Sequence, residues 1–121
     1  MDDLQPLCNS RDLVDSGEAV PFDVVYGGQT CRAFAIRYRG QVHAYLNRCS
    51  HVAMEMDWRP NHFFDLTGHQ LVCASHGALF RPDTGACTGG PGRGPLVKIP
   101  VVEQGGVVSW QAQYNLRPVA F

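Results

Sequence analysis

Thirteen glycines and eight prolines are spread along these 121 residues, and they cut the chain into short pieces. Between them lie runs rich in β-branched and aromatic residues, at 20–26, 30–38, 41–47, 63–66, 70–73, 79–81, 96–102 and 107–111. In TCRAFAIRY and QVHAYLN apolar residues recur at every second position, the pattern of a half-buried strand. RGQ between those two runs, TGH near residue 68 and GG at 105–106 are hairpin signals, and RPDTG combines turn-forming residues. Only SRDLVDSG, with a Ser cap and a stop at Gly17, suggests one or two helical turns. No internal repeat stands out, and the tail QAQYNLRPVAF has no clear pattern. The expected fold class is all-β.

Size and charge narrow the function. A chain of 121 residues can form one domain with a real core and is too short to expect two. A formal net charge of -1, without a lysine- or arginine-rich block, gives no footprint for nucleic acid. No apolar run approaches a membrane span, so no membrane partner is expected. The start, MDDLQPL, lacks the basic and then apolar parts of a signal peptide, which leads us to expect a cytoplasmic, reducing setting. Five cysteines, an odd number, also argue against a disulfide framework.

Two stretches break the strand pattern, at 49–61 and 85–95, and long irregular segments in a small domain are commonly functional. The first holds Cys49 and His51 as C-x-H. Beyond it, Cys73 and His76 form C-x-x-H, with 21 residues between the two pairs. A structural zinc ion takes four such ligands, usually from pairs of other spacings. C-x-H is tight for two ligands on one ion, and is easier to satisfy if Cys and His reach different metals. A two-iron, two-sulfide cluster offers that arrangement, with both thiolates on one iron and both imidazoles on the other. The remaining cysteines, Cys8, Cys31 and Cys87, read as buried small hydrophobes. His43, His62 and His69, in strand or turn contexts, read as surface residues rather than ligands.

CSH at 49–51, CASHG at 73–77, Phe80, TG at 84–85 and GGP at 89–91 together resemble the Rieske [2Fe-2S] ferredoxin family. RYRGQVHAYLNRCSH is similar to the hairpin that leads into the family's first cluster loop, and GPLVKIPVVEQGGVVSW to its closing hairpin. The likeness runs from about residue 4 to residue 110. It implies a single domain, 1–121, of small antiparallel sheets packed as a sandwich, with an inserted cluster-binding subdomain at about 48–91. It implies one [2Fe-2S] cluster per chain, held by Cys49, His51, Cys73 and His76, with Gly90–Pro91 in a third loop over the cluster. Met54 and Ser75 stand where respiratory members carry a disulfide-forming cysteine, so that bridge is excluded. Ala78 and Phe80 stand where those members carry Ser and Tyr, whose hydroxyls donate to cluster sulfurs. A low potential is therefore expected.

The resemblance implies a soluble one-electron carrier that passes electrons from a flavin-dependent reductase to a terminal oxygenase or another redox enzyme. No large catalytic domain is expected after Trp110. Electrons would leave through His51 and His76, at a tip rimmed by Met54, Trp58, Pro91 and Arg93, where partners dock transiently. Two alternatives stand beside it. One is a small Rieske-like subunit of a larger redox enzyme, such as assimilatory nitrite reductase. The other is a structural zinc-binding interaction module.

Overall fold

The chain's longest strand is apolar on both sides, and the fold is built around it. The computed structural model describes residues 4–47, 61–73, 77–89, 95–113 and 116–118. Its strands are β1 (Leu4–Asn9), β2 (Val20–Tyr26), β3 (Gln29–Tyr38), β4 (Gln41–Leu46), β5 (Leu71–Val72), β6 (Leu79–Phe80), β7 (Cys87–Gly89), β8 (Lys98–Ile99), β9 (Val101–Gln104), β10 (Val107–Gln111) and β11 (Leu116–Pro118). They form a five-stranded sheet of order β11-β2-β3-β4-β8 and two three-stranded sheets, β1-β10-β9 and β5-β6-β7. All the strand pairs are antiparallel. The all-β expectation holds. Among the described residues no helix is long and apolar enough to cross a membrane.

The five-stranded sheet is the middle layer. Successive side chains of a strand point to opposite faces, and β3 uses small residues on one face and large ones on the other. Ala33 and Ala35, with Val42, Ala44 and Leu46 of β4, pack in one core with Val108 and Trp110 of β10. Phe34, Ile36 and Tyr38, with Tyr45, pack in a second core with Phe63, Phe64, Leu71 and Phe80 of the small-sheet layer. The alternation read as half-buried strands is therefore only one of two apolar faces, because a layer lies on each side of the sheet.

Several boundaries differ from the sequence reading for definite reasons. The run 96–102 is two strands, not one, because Pro100 has no N–H for a ladder. Lys98–Ile99 pairs with β4 and Val101–Gln104 with β10, so the chain changes sheet at that proline. Two strands that the pattern missed, β1 and β11, lie at sheet edges and contain Pro6 and Pro118, residues tolerated only there. The strand expected at 63–66 is reduced to a single bridge, Phe64 to Leu71. The irregular stretch at 85–95 contains β7, and its residues 90–94 lie outside the described ones. Where helix was expected there is a 3-10 turn, Ser10–Asp12, with the Asn9 N–H donating to the Asp12 carboxylate at 3.0 Å. Asp15 then bridges to Arg37.

Arg37 ties these parts together. Its guanidinium donates to the carbonyls of Leu13, Gly40 and Ser10 and to both carboxylate oxygens of Glu103. All five N–H groups are used, and they join the 3-10 turn, the β3–β4 hairpin and β9. The hydrogen bonds from Arg37 hold the Glu103 carboxyl below its ordinary range.

Candidate metal centre

Cys73 follows directly on β5, and the next strand returns beside it. Leu71 pairs with Phe80 and Val72 with Leu79, which sets Cys73 opposite Ala78. The Cys73 N–H donates to the Ala78 carbonyl at 2.8 Å, and the Gly77 N–H donates to the Cys73 carbonyl at 2.8 Å. Gly77 sits at φ +74, a left-handed conformation that side chains resist. Among the described residues nothing lies within 4 Å of a Cβ built there, and the backbone conformation by itself calls for the glycine. This is the local reason for HG in CASHG: the glycine reverses the chain so that Ala78 can pair back on Cys73.

The same end of the small sheet receives two other connections. Phe64 bridges Leu71, and the Val72 N–H donates to the Phe63 carbonyl at 2.8 Å. That register sets residue 62 beside Cys73, so the chain arriving from 48–60 returns at the Cys73 end. Gly89, the last residue of β7, pairs with Leu79, so 90–94 departs from that end too. Residues 62 and 89 thus both lie at the Cys73 end of the small sheet. Cys49, His51 and His76 themselves lie outside the described residues, as do Met54, Trp58, Pro91 and Arg93.

Of the four predicted ligands the structure describes Cys73 alone. It is fully buried, in one core with Leu71, Ala78 and Phe80. Among the described residues no group of three or more His, Cys, Asp or Glu could hold a metal ion. Cys8, Cys31 and Cys87 are half-buried rather than buried, because each lies at the margin of a core. Burial pushes the Cys8 thiol up, which suits an inert thiol. No disulfide joins the described cysteines.

His43 corrects the surface reading. It is only 8 % exposed, because it lies between the five-stranded sheet and the turn at 81–84. Its Nδ1 is 3.2 Å from Lys98 Nζ, which also donates to the Asp83 carbonyl. Burial and then the Lys98 charge push the His43 imidazole below its ordinary value, so it accepts from Lys98 as the neutral ring. His62 is partly exposed and His69 is exposed, as expected of surface residues.

How the small sheet is fixed to its base depends on contacts between residues far apart in the chain. Tyr45 is fully buried, and its hydroxyl donates to the Pro82 carbonyl at 2.7 Å. Gly85, at φ +78, lies so close that a Cβ there would be 2.8 Å from the Tyr45 ring. Phe34 stacks on Phe63 with ring centroids 3.7 Å apart. These contacts hold the sheet carrying Cys73 against β3 and β4.

An all-β base with a small sheet docked on it, and a buried cysteine at one end of that sheet, defines the class of fold. Within that class the family model of the Rieske [2Fe-2S] domain matches residues 3–105, and the chain belongs to that family. The family's group is a [2Fe-2S] cluster, which takes two thiolates and two imidazoles. A water-excluded thiol on a fixed turn, followed by a histidine and a glycine, fits that group.

Solved structures agree in fold. The ferredoxin of carbazole 1,9a-dioxygenase from Nocardioides aromaticivorans IC177 is 25% identical, with a TM-score of 0.70 over 88% of this chain and 95% of that chain. The Sphingomonas yanoikuyae B1 ferredoxin is 25% identical, with a TM-score of 0.69 over 91% of this chain and 99% of that one. The terminal oxygenase of carbazole 1,9a-dioxygenase from N. aromaticivorans IC177 is similar in fold at 20% identity and a TM-score of 0.68. It covers 98% of this chain, which spans 32% of that one. A search of curated proteins finds no match.

Proposed function

We propose that the protein is a soluble one-electron carrier of the cytoplasm. On this reading it takes electrons from a flavin-dependent reductase and delivers them to a terminal oxygenase or another redox enzyme. Cys49 and Cys73 hold one iron and His51 and His76 the other, with one cluster per chain in a subdomain at about 48–91. The observation that supports the reading is the small sheet's end at Cys73: the buried thiol lies there, and residues 62 and 89, the described residues next to the stretches with the other candidate ligands, lie beside it. The likeness to a dioxygenase ferredoxin over nearly all of that chain favours a carrier for an oxygenase.

The bound cluster supplies one reversible electron. The chain's own residues set its surroundings. The core around Cys73 would exclude water from that thiolate. Ala78 and Phe80, both fully buried in the core that contains Cys73, carry no hydroxyl to donate to a cluster sulfur. Donors of that kind favour the reduced, more negative state, so their absence places the potential near the low end of the family's range of roughly −150 to +300 mV. Stopped-flow mixing of the reduced protein with a ring-hydroxylating terminal oxygenase tests the assignment. Rapid reoxidation of the carrier is expected. A reduced protein that no such oxygenase reoxidises would count against it.

A further inference from the structure

We propose that the cleft between the β3–β4 turn and the small sheet binds a small organic anion, through a carboxylate or phosphate group. The cleft has a volume of about 400 Å³ and lies at the end of β5 away from Cys73. That size is typical of small-molecule sites, roughly 300–1,000 Å³. Its polar lining consists of donors. The Tyr38 hydroxyl is 3.1 Å from His69 Nδ1. Where the Tyr38 hydroxyl donates in that contact, the His69 Nε2–H is left to donate into the cleft. The Thr88 hydroxyl donates to Gln70 Oε1 at 2.7 Å, which leaves the two amide N–H groups of Gln70 to donate.

Two guanidiniums complete the lining. Arg39 sits 5.2 Å above the Tyr38 ring and makes no ion pair among the described residues. Arg81 gives Nε and one Nη2 hydrogen to Asp83, at 3.1 Å each, and keeps three N–H groups. Among the described residues no carboxylate lines the cleft, and with Asp83 counted one positive charge remains unbalanced. Paired guanidiniums with spare N–H groups bind planar carboxylates and phosphates through two parallel hydrogen bonds.

The test is a titration of the oxidised holoprotein with benzoate and, separately, with phenyl phosphate, chloride holding the ionic strength constant. The readouts are the NMR signals of the Arg39 and Arg81 Nε–H groups and the Gln70 amide. Saturable shifts with a Kd at or below about 1 mM for at least one probe are expected. The probe that binds identifies the anionic group. Arg39→Gln with Arg81→Gln should weaken binding about tenfold or more, with an unchanged visible spectrum. No saturable shift with either probe, or an equal Kd in the double variant, would overturn the proposal.

Discussion

Replacing Tyr45 with Phe removes one hydroxyl from a fully buried ring and leaves the packing in place. The lost bond is the one from the Tyr45 hydroxyl to the Pro82 carbonyl, 2.7 Å long, with Pro82 itself fully buried. Leaving a buried acceptor without its donor costs about 1–3 kcal/mol. Unfolding entropy near 2.1 cal/mol/K per residue gives roughly 0.25 kcal/mol/K for a chain of this length, so the melting temperature should fall by roughly 4–12 °C. The holoprotein melt, followed by circular dichroism and by visible absorbance at one scan rate, measures it. Burial first, and then the Asp83 carboxylate, raise the Tyr45 hydroxyl well above its ordinary value. An unfolded tyrosine ionises near pH 10. Its contribution to stability is therefore complete below pH 10 and is lost as the pH rises above that value, because only the unfolded chain releases the proton. The gap between wild type and Tyr45→Phe should narrow above pH 10. A variant that melts within about 1 °C of wild type, with an identical alkaline slope, would refute the reasoning.

Further outcomes follow from other residues. Gly85→Ala meets both a left-handed φ, costing about 1–2 kcal/mol, and the Tyr45 ring at 2.8 Å, so its melting temperature should fall further than that of Tyr45→Phe. Arg37→Met leaves Glu103 and three carbonyls without their shared donor; a loss of about 2–4 kcal/mol is expected in urea titration, while Arg37→Lys should recover only part of it. Ala78→Ser and Phe80→Tyr each place a hydroxyl in the core around Cys73. At about 1 kcal/mol of preference for the reduced state and 59 mV per 1.4 kcal/mol for one electron, each should raise the potential by roughly 40 mV in voltammetry. An unchanged potential in the double variant, with the new hydroxyls bonded to sulfur, would contradict the low-potential explanation.

The parts of the fold legible in the sequence are those set by local chemistry. β2 and β10 have the limits that their apolar runs indicate, and Arg39–Gly40 and Gly105–Gly106 adopt the positive φ that their hairpin turns need. The chain reversal after C-x-x-H could be read because Gly77 follows, and it takes the positive φ that the reversal needs. What was hidden depends on contacts distant in sequence. Whether β3 has one buried face or two is decided by layers contributed from residues 63–80 and 108–110. The burial of His43 depends on Lys98 and on a turn some forty residues away. The edge strands β1 and β11 carry prolines that a pattern search rejects and an edge accepts.

The central claim is that one iron carries two imidazoles, from His51 and His76, and the other two thiolates, from Cys49 and Cys73. Pulsed EPR on the reduced protein, grown with 15N-histidine, tests it most directly. Two histidine nitrogens coupled to the paramagnetic centre are expected, with the signal abolished together with the cluster in His51→Ala and in His76→Ala. A reduced centre with no coupled nitrogen, or a full cluster and unchanged spectrum in either variant, would contradict it.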